Sequence, residues 1–259
     1  MNTLRHLALQ VLLECDPASK ASRATALPVD VTTGASEELV EPPGIPGRPA
    51  RPELVPHTEL KQRSLKTPEG HAGLLHAVAH IELNAIDLAA DAVWRFPGMP
   101  DDYYRDWARV TREEAYHFGL LAARLQELGF AYGDFPAHNS LWEMTAKTRH
   151  DVLARMALVP RTLEARGLDA SPPMKAKLAS IGDQRSAEII DIILRDEIGH
   201  VAVGNRWYAY LCDQRGFDPV ATYAELAELY GAPRLRGPFN LDARRAAGFS
   251  EIELRNLQQ

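Results

Sequence analysis

A chain of 259 residues with a net charge of −6 and 46% hydrophobic residues is long enough to bury a core, as one large domain or two small ones. It carries no basic block of the kind that marks a nucleic-acid footprint, so nucleic acid is neither indicated nor excluded as a partner. Two distant cysteines, Cys15 and Cys212, with no Cys-x-x-Cys pair, argue against a disulfide framework, a zinc ribbon and a fused rubredoxin-type iron site.

The apolar run from Leu7 to Leu13 is broken by Gln10 and meets Glu14 and Asp16, so it reads as an amphipathic helix and not as a signal peptide. Leu4, Leu7, Val11 and Leu12 lie on one side of a helix over 4–15. Small and polar residues follow over 17–33. From Glu41 to Pro56 the density of prolines forbids a regular ladder, which predicts an extended arm, either a tether or a strap laid over the domain. No run approaches the roughly 18–20 apolar residues that cross a bilayer. A cytoplasmic protein with no membrane partner is the expectation.

Thr67 and Pro68 read as N-cap and first residue of a long helix that closes at Phe96. Its stripe, Leu75, Val78, Ala79, Ile86, Ala89 and Val93, has Glu82 in the middle. A second helix runs from Asp101 to Leu128, with Gly129 as its stop, and its stripe of Trp107, Val110, Leu121 and Leu125 contains Glu114 and His117. After an aromatic crossing, Ser140 and Glu143 have capping-box spacing. A third helix carries Leu153, Met156, Ala157 and Glu164. Pro160 should kink it, and Gly167 with the run Asp169 to Pro173 should break it beside Glu164, opening one wall of a site before the helix resumes around Met174–Ile181. A fourth helix spans Asp183 to Arg215, stopped by Gly216, with Ile190, Ile193, Leu194, Glu197, His200 and Val201 inward. A helix at 219–230, a loop and one or two short helices complete an all-α chain. The expected organisation is an N-terminal helix and arm over 1–63, a four-helix bundle over 64–216 and a helical extension over 217–259.

Six ionisable residues sit on those apolar stripes: Glu82; Glu114 with His117; Glu164; Glu197 with His200. A buried carboxylate must be paired, protonated or bound to metal. Three residues along a helix leave Glu and His about 60° apart, so both can reach one metal. One Glu-x-x-His pair is weak evidence, but here a lone Glu and then Glu-x-x-His recur at nearly the same interval in each half, with a wider gap between halves. That is the ligand set of ferritin-like di-iron or di-manganese carboxylate bundles. Glu82 and Glu114 each lie about 20 Å from the turn joining their helices, hence level with one another. Four carboxylates balance two divalent ions, and oxygen and imidazole donors suit iron or manganese. Asp196 and Glu113 each precede a ligand Glu and could orient a ligand histidine, the alternative being a solvated side chain; Gly199 would leave room beside the metals. His76, His80, Asp87 and Asp91 face away from Glu82, Glu188 is expected in solvent, and Trp94, Trp107, Trp142, Trp207, Tyr116 and Tyr208 are expected to pack.

The segments 71–88, 112–118 (Arg-Glu-Glu-Ala-Tyr-His-Phe), 163–169 (Leu-Glu-Ala-Arg-Gly-Leu-Asp) and 195–201 (Arg-Asp-Glu-Ile-Gly-His-Val) resemble a bacterial ferritin-like family labelled only as a domain of unknown function. The likeness runs through the proline-rich arm and the Gly-Pro-Phe-Asn segment at 237–240. More distantly the chain resembles the tRNA-modifying di-iron hydroxylase MiaE. The resemblance implies a ferritin-like four-helix bundle holding two iron ions, with manganese as the alternative. Three functions follow as expectations. The first is an oxygen-activating oxidoreductase, a hydroxylase or oxidase that takes dioxygen, an unidentified organic substrate and electrons from an external donor. The second is a ferroxidase-type protein that handles iron alone, and the third a bundle whose metal only stabilises the fold. A homodimer is among the expected assemblies, a large shell marking iron storage instead, and no catalytic residue beyond the metal ligands is marked.

Overall fold

In a computed structural model that describes residues 3–28, 30–60 and 63–258, the chain is helical, with no strand among the described residues. It divides into two compact units, Met1–Trp142 and Glu143–Gln259.

The first unit is built on a hairpin of two long helices, α3 (Pro68–Arg95) and α4 (Asp101–Glu127), after α1 (Leu4–Leu13) and α2 (Pro17–Thr25). The local signals act as the sequence predicts. Thr67 Oγ1 accepts from Gly70 N at 3.1 Å, and Pro68 opens α3, where its missing N–H has no helical partner to lose. All the apolar stripe residues of α3 and α4 are buried. Against the hairpin pack α1, through Leu4, Ala8, Val11 and Leu12, and α2.

Two buried cations fasten these helices. Arg5 donates to the Trp94 carbonyl at the end of α3 through Nε and Nη2, at 3.0 and 2.7 Å, and to Gly34 and Glu37 carbonyls through Nη1. Lys20 of α2 is 1% exposed, forms an ion pair with Asp87 of α3 and donates to the Gly47 carbonyl at 3.0 Å.

The proline-rich segment is a strap. Gly47 N donates to Leu12 O at 2.7 Å; a Cβ at residue 47 would lie 2.2 Å from Leu13 O, so only glycine allows this approach. Further along, Val55 N donates to Ala137 O and Ala137 N to Glu53 O, an isolated bridge that ties the arm to the crossing after α4. Prolines cannot supply a ladder, so the arm is held by the few N–H groups between them.

A short helix, α5 (Ser140–Lys147), spans the division between the units. The second unit contains α6 (Val152–Leu158), a π-helical turn (Val159–Glu164), α7 (Ala165–Ser180), α8 (Gln184–Arg215), α9 (Pro219–Leu229), α10 (Leu241–Ala246) and α11 (Glu251–Asn256). Here α6, the π turn and α7 form one interrupted helix packed along α8. Its core joins Ala165, Leu168, Val201, Ala243, Ala247, Phe249 and Leu254, so the last two helices pack on the α7–α8 hairpin.

The break expected over Gly167–Pro173 is absent, and α7 runs through both Pro172 and Pro173. Pro172 removes the N–H that would serve the Leu168 carbonyl. Asn240 of the Gly-Pro-Phe-Asn segment replaces it, its Nδ2 donating to Leu168 O at 3.2 Å, while Ser171 Oγ donates to Gly167 O at 2.8 Å. The Asp169 carboxylate accepts from Asn240 N and from both arms of Arg244. With its carbonyls served from outside, the helix keeps its geometry past two prolines. The interruption lies instead at the π turn around Pro160. There Gly204 of α8 lets the ring in, since a Cβ at 204 would stand 2.5 Å from Pro160 Cβ.

Candidate metal centre

In the first unit, Glu82 projects from α3, and Glu114 and His117 from α4, one helical turn apart. All three are at most 3% exposed. His117 Nδ1 lies 3.2 Å from Glu82 Oε2 across the hairpin and 3.5 Å from Glu114 Oε2 on its own helix. One donor atom from each lies within 4.8 Å of the others. The level placement reasoned from helix lengths therefore corresponds to direct contact.

The electrostatics of the group are set by its two carboxylates. Burial by itself would lower the pKa of His117, but the hydrogen bonds and charges of Glu114 and Glu82 outweigh it and push the imidazole up to about 11. Two buried carboxylates thus favour the positively charged form of the imidazole. Oxygen-rich donors with one imidazole, sequestered from water, form a buried group that can hold a metal ion.

In the second unit, Glu197 and His200 lie on α8, 7% and 1% exposed, with His200 Nδ1 3.5 Å from Glu197 Oε1. Glu164 is half-buried at the last position of the π turn. A Cβ at Gly167, one turn further along, would stand 3.9 Å from Glu197 Cγ, which places Glu197 against the face of α7 that follows Glu164. The second set thus repeats the first in form: a Glu on one helix of a hairpin and a Glu-x-x-His pair on the other. Single-turn π insertions recur at functional sites because they re-aim a side chain without ending the helix.

Tyr116 departs from its sequence reading, whereas most of the surrounding residues follow theirs. Asp196 accepts from its neighbour Arg195 at 2.8 and 3.2 Å, and Glu113 is half-buried. Gly199 is exposed, and a Cβ there would meet no atom. Tyr116 is 51% exposed instead of packed, whereas Tyr208 and the four tryptophans are buried and Glu188 is exposed. His76 and His80 are buried and hydrogen-bonded away from Glu82, although His76 Nδ1 has no partner among the described residues. His76 Nε2 accepts from Gly133 N at 2.9 Å, and His80 lies within hydrogen-bond distance of Tyr132 Oη and His138 O. Burial lowers both to about 4. Asp87 and Asp91 are buried in ion pairs with Lys20 and Arg95.

Sequence reasoning passed over Arg161, which the structure buries inside the π turn. Its signal was a charge on the same stripe as Leu153, Met156, Ala157 and Glu164.

Fold and site together define an all-helical protein with a buried glutamate–histidine group able to hold a metal ion; no helix among the described residues is long and apolar enough to cross a membrane. Over residues 13–255 the chain matches the family described as protein of unknown function, DUF455, and it belongs to that family. It is 48% identical over 224 residues to an uncharacterized protein of Haemophilus influenzae, covering 84% of this chain and 78% of that one. No solved structure matches.

Proposed function

We propose that the chain is a ferritin-like di-metal carboxylate protein, with two iron ions held by Glu82, Glu114, His117, Glu164, Glu197 and His200, acting as an oxygen-activating oxidoreductase on an organic substrate. The observation that carries this reading is the repetition of one half-set, Glu with Glu-x-x-His, in each of two helical hairpins, every member buried except the half-buried Glu164. One half-set alone supplies two carboxylates and one imidazole. Two supply four negative charges, which neutralise two divalent ions. The donor set supports the fit, since His117 Nδ1 lies 3.2 Å from Glu82 Oε2 and 3.5 Å from Glu114 Oε2, close enough for all three to share one ion.

When bound, such a metal pair supplies the reduction of dioxygen and the oxidation of a substrate, with electrons from an external donor. The chain's own part is distinct. Apolar neighbours such as Ile86, Val110, Leu121, Ile193 and Val201 exclude water from around the carboxylates. The π turn sets the direction of Glu164. The glutamates are positioned by helices packed within each hairpin, α3 on α4 and α7 on α8. The ferritin-like and MiaE-like order of ligands supports oxidation of an organic molecule over a purely structural metal, and it carries with it a cytoplasmic setting.

The test is elemental analysis of protein purified without added metal, followed by dioxygen uptake after reduction. Two metals per chain are expected in the wild type, iron above manganese, with loss of at least one in Glu114→Ala and in His200→Ala. Full two-metal occupancy in both variants would sink the ligand assignment. Turnover of Fe²⁺ alone with mineral growth would favour iron handling, and metal-dependent stability without any dioxygen uptake would favour a structural metal.

A further inference from the structure

A cavity of about 790 Å³ opens in the second unit among α9, the loop after it and α11, and its buried end is Arg161 of the π turn. The volume falls within the roughly 300–1,000 Å³ of small-molecule sites. Neither the proposed metal ligands nor their neighbours on α8 line it.

Its chemistry is one-sided. Four arginines line it, Arg161, Arg234, Arg236 and Arg244, against two glutamates, Glu228 and Glu253. Arg161 is 4% exposed, with Nε donating to Asn205 Oδ1 and Nη2 paired with Glu253. Its Nη1 has no hydrogen-bond partner among the described residues. The guanidinium is held in place by aromatic faces, 4.2 Å from the Tyr208 ring centroid and 5.2 Å from that of Phe249. Arg244 is fixed to Asp169. Arg234 and Arg236, on the loop, are exposed and have no ion-pair partner among the described residues. Apart from Asn256 and Tyr223 the rest of the wall is apolar, with Val220, Ala224, Leu235 and Leu257 prominent.

A buried donor left without an acceptor is costly, and an anionic oxygen is the strongest acceptor for a guanidinium. We propose that this cavity binds a small organic anion, its carboxylate or phosphate head between Arg161 and the loop arginines Arg234 and Arg236, and its apolar body against Val220, Ala224, Leu235 and Leu257. Glu253 balances the charge of Arg161, so the unpaired positive charge facing the ligand comes from Arg234 and Arg236. The head then rests on the same turn that ends in Glu164. That the ligand is the substrate of the metal centre rests on the reading above; that the cavity takes an anion does not.

The experiment is fluorescence titration of the full chain, chelator-treated and metal-loaded, with 1-naphthoate and 1-naphthyl phosphate as probes. At least one should bind in both forms with a Kd below about 1 mM, weakening about tenfold or more in Arg234→Ala/Arg236→Ala, since each charge-assisted hydrogen bond is worth about a tenfold change. Those side chains are exposed, so thermal unfolding of the double variant should match the wild type. Ala224→Trp, which fills the apolar end, should abolish binding. Tighter binding of the phosphate or the carboxylate assigns the head group. Failure of both probes to bind below about 1 mM, or unchanged binding in the double variant or in Ala224→Trp, overturns the inference. Probe binding that persists in Glu114→Ala and His200→Ala while neither loses metal would instead sink the metal assignment alone.

Discussion

Replacing Lys20 with Met removes the ammonium from a buried pair and leaves Asp87 inside α3 with no cation of equal proximity. Asp87 is 4% exposed, and burial raises its pKa to about 6 even with Lys20 and Arg48 pulling it down and Asp91 adding to the rise. Breaking a buried pair by removing one partner costs about 3–5 kcal/mol. At about 2–4 °C per kcal/mol for a chain of this size, Tm should fall by about 6–20 °C. Because the folded-state pKa lies above the unfolded one, the stability linked to Asp87 is present at low pH and is lost as pH rises through about 6. In Lys20→Met the carboxyl rises further and takes up a proton more readily, so the penalty should shrink on acidification. Calorimetry and urea unfolding at pH 8 and pH 5.5 measure this. The double variant Lys20→Met/Asp87→Leu should regain most of the loss. A penalty under about 1 kcal/mol at pH 8, or one that does not change between the two pH values, would refute the reasoning.

Gly204→Ala and Gly199→Ala gain the same helix propensity, so the difference between them isolates the clash with Pro160. Gly204→Ala should lie about 1–3 kcal/mol below Gly199→Ala in denaturant unfolding; equal stabilities would mean the π turn does not depend on this contact. His76, lowered to about 4 mainly by burial, with Arg63 adding and Asp134 opposing, favours the neutral form in the fold. Its protonation would set a donor against the Gly133 N–H. Stability linked to it is complete above about pH 6.5 and is lost as pH falls toward 4, by about 3 kcal/mol at the end of that window. In His76→Gln the acid limb of a stability–pH curve should flatten by that amount. Arg244→Met strips Asp169 of its bidentate partner and should cost about 3 kcal/mol, read by thermal unfolding.

What was legible in the chain was what is local. Thr67, Asp183, Gly129 and Gly216 bound their helices because capping depends on the residue itself and its first few neighbours. Glu82, Glu114 and His117 were legible because a charge on a 3.6-residue apolar stripe has few outcomes, and contact across α3 and α4 followed from equal distances to one short turn. The course of α7 was not legible. Pro172 and Pro173 are helix breakers on local grounds, and the compensation comes from Asn240, seventy residues away in the chain. The buried cations were hidden for the same reason. Nothing near Arg5 or Lys20 in sequence announces the Trp94 carbonyl or Asp87. Arg161 needed the π turn before its burial could be understood.

The π turn also has a rotational meaning. Six residues wound at i to i+5 accommodate one more residue than an α-helix would over the same arc. One residue is about 100° of helix phase. Everything after Val159–Glu164 is therefore turned by about that angle relative to a continuous helix begun at Val152. Deleting a single residue there would restore an unbroken helix by every local criterion. It would also swing Leu168 out of the core, carry Asp169 away from Arg244 and point the side chain after the turn to a different quarter of the compass. The turn acts as a phase shifter, and the two hydrophobic faces on either side of it are compatible only because it is there.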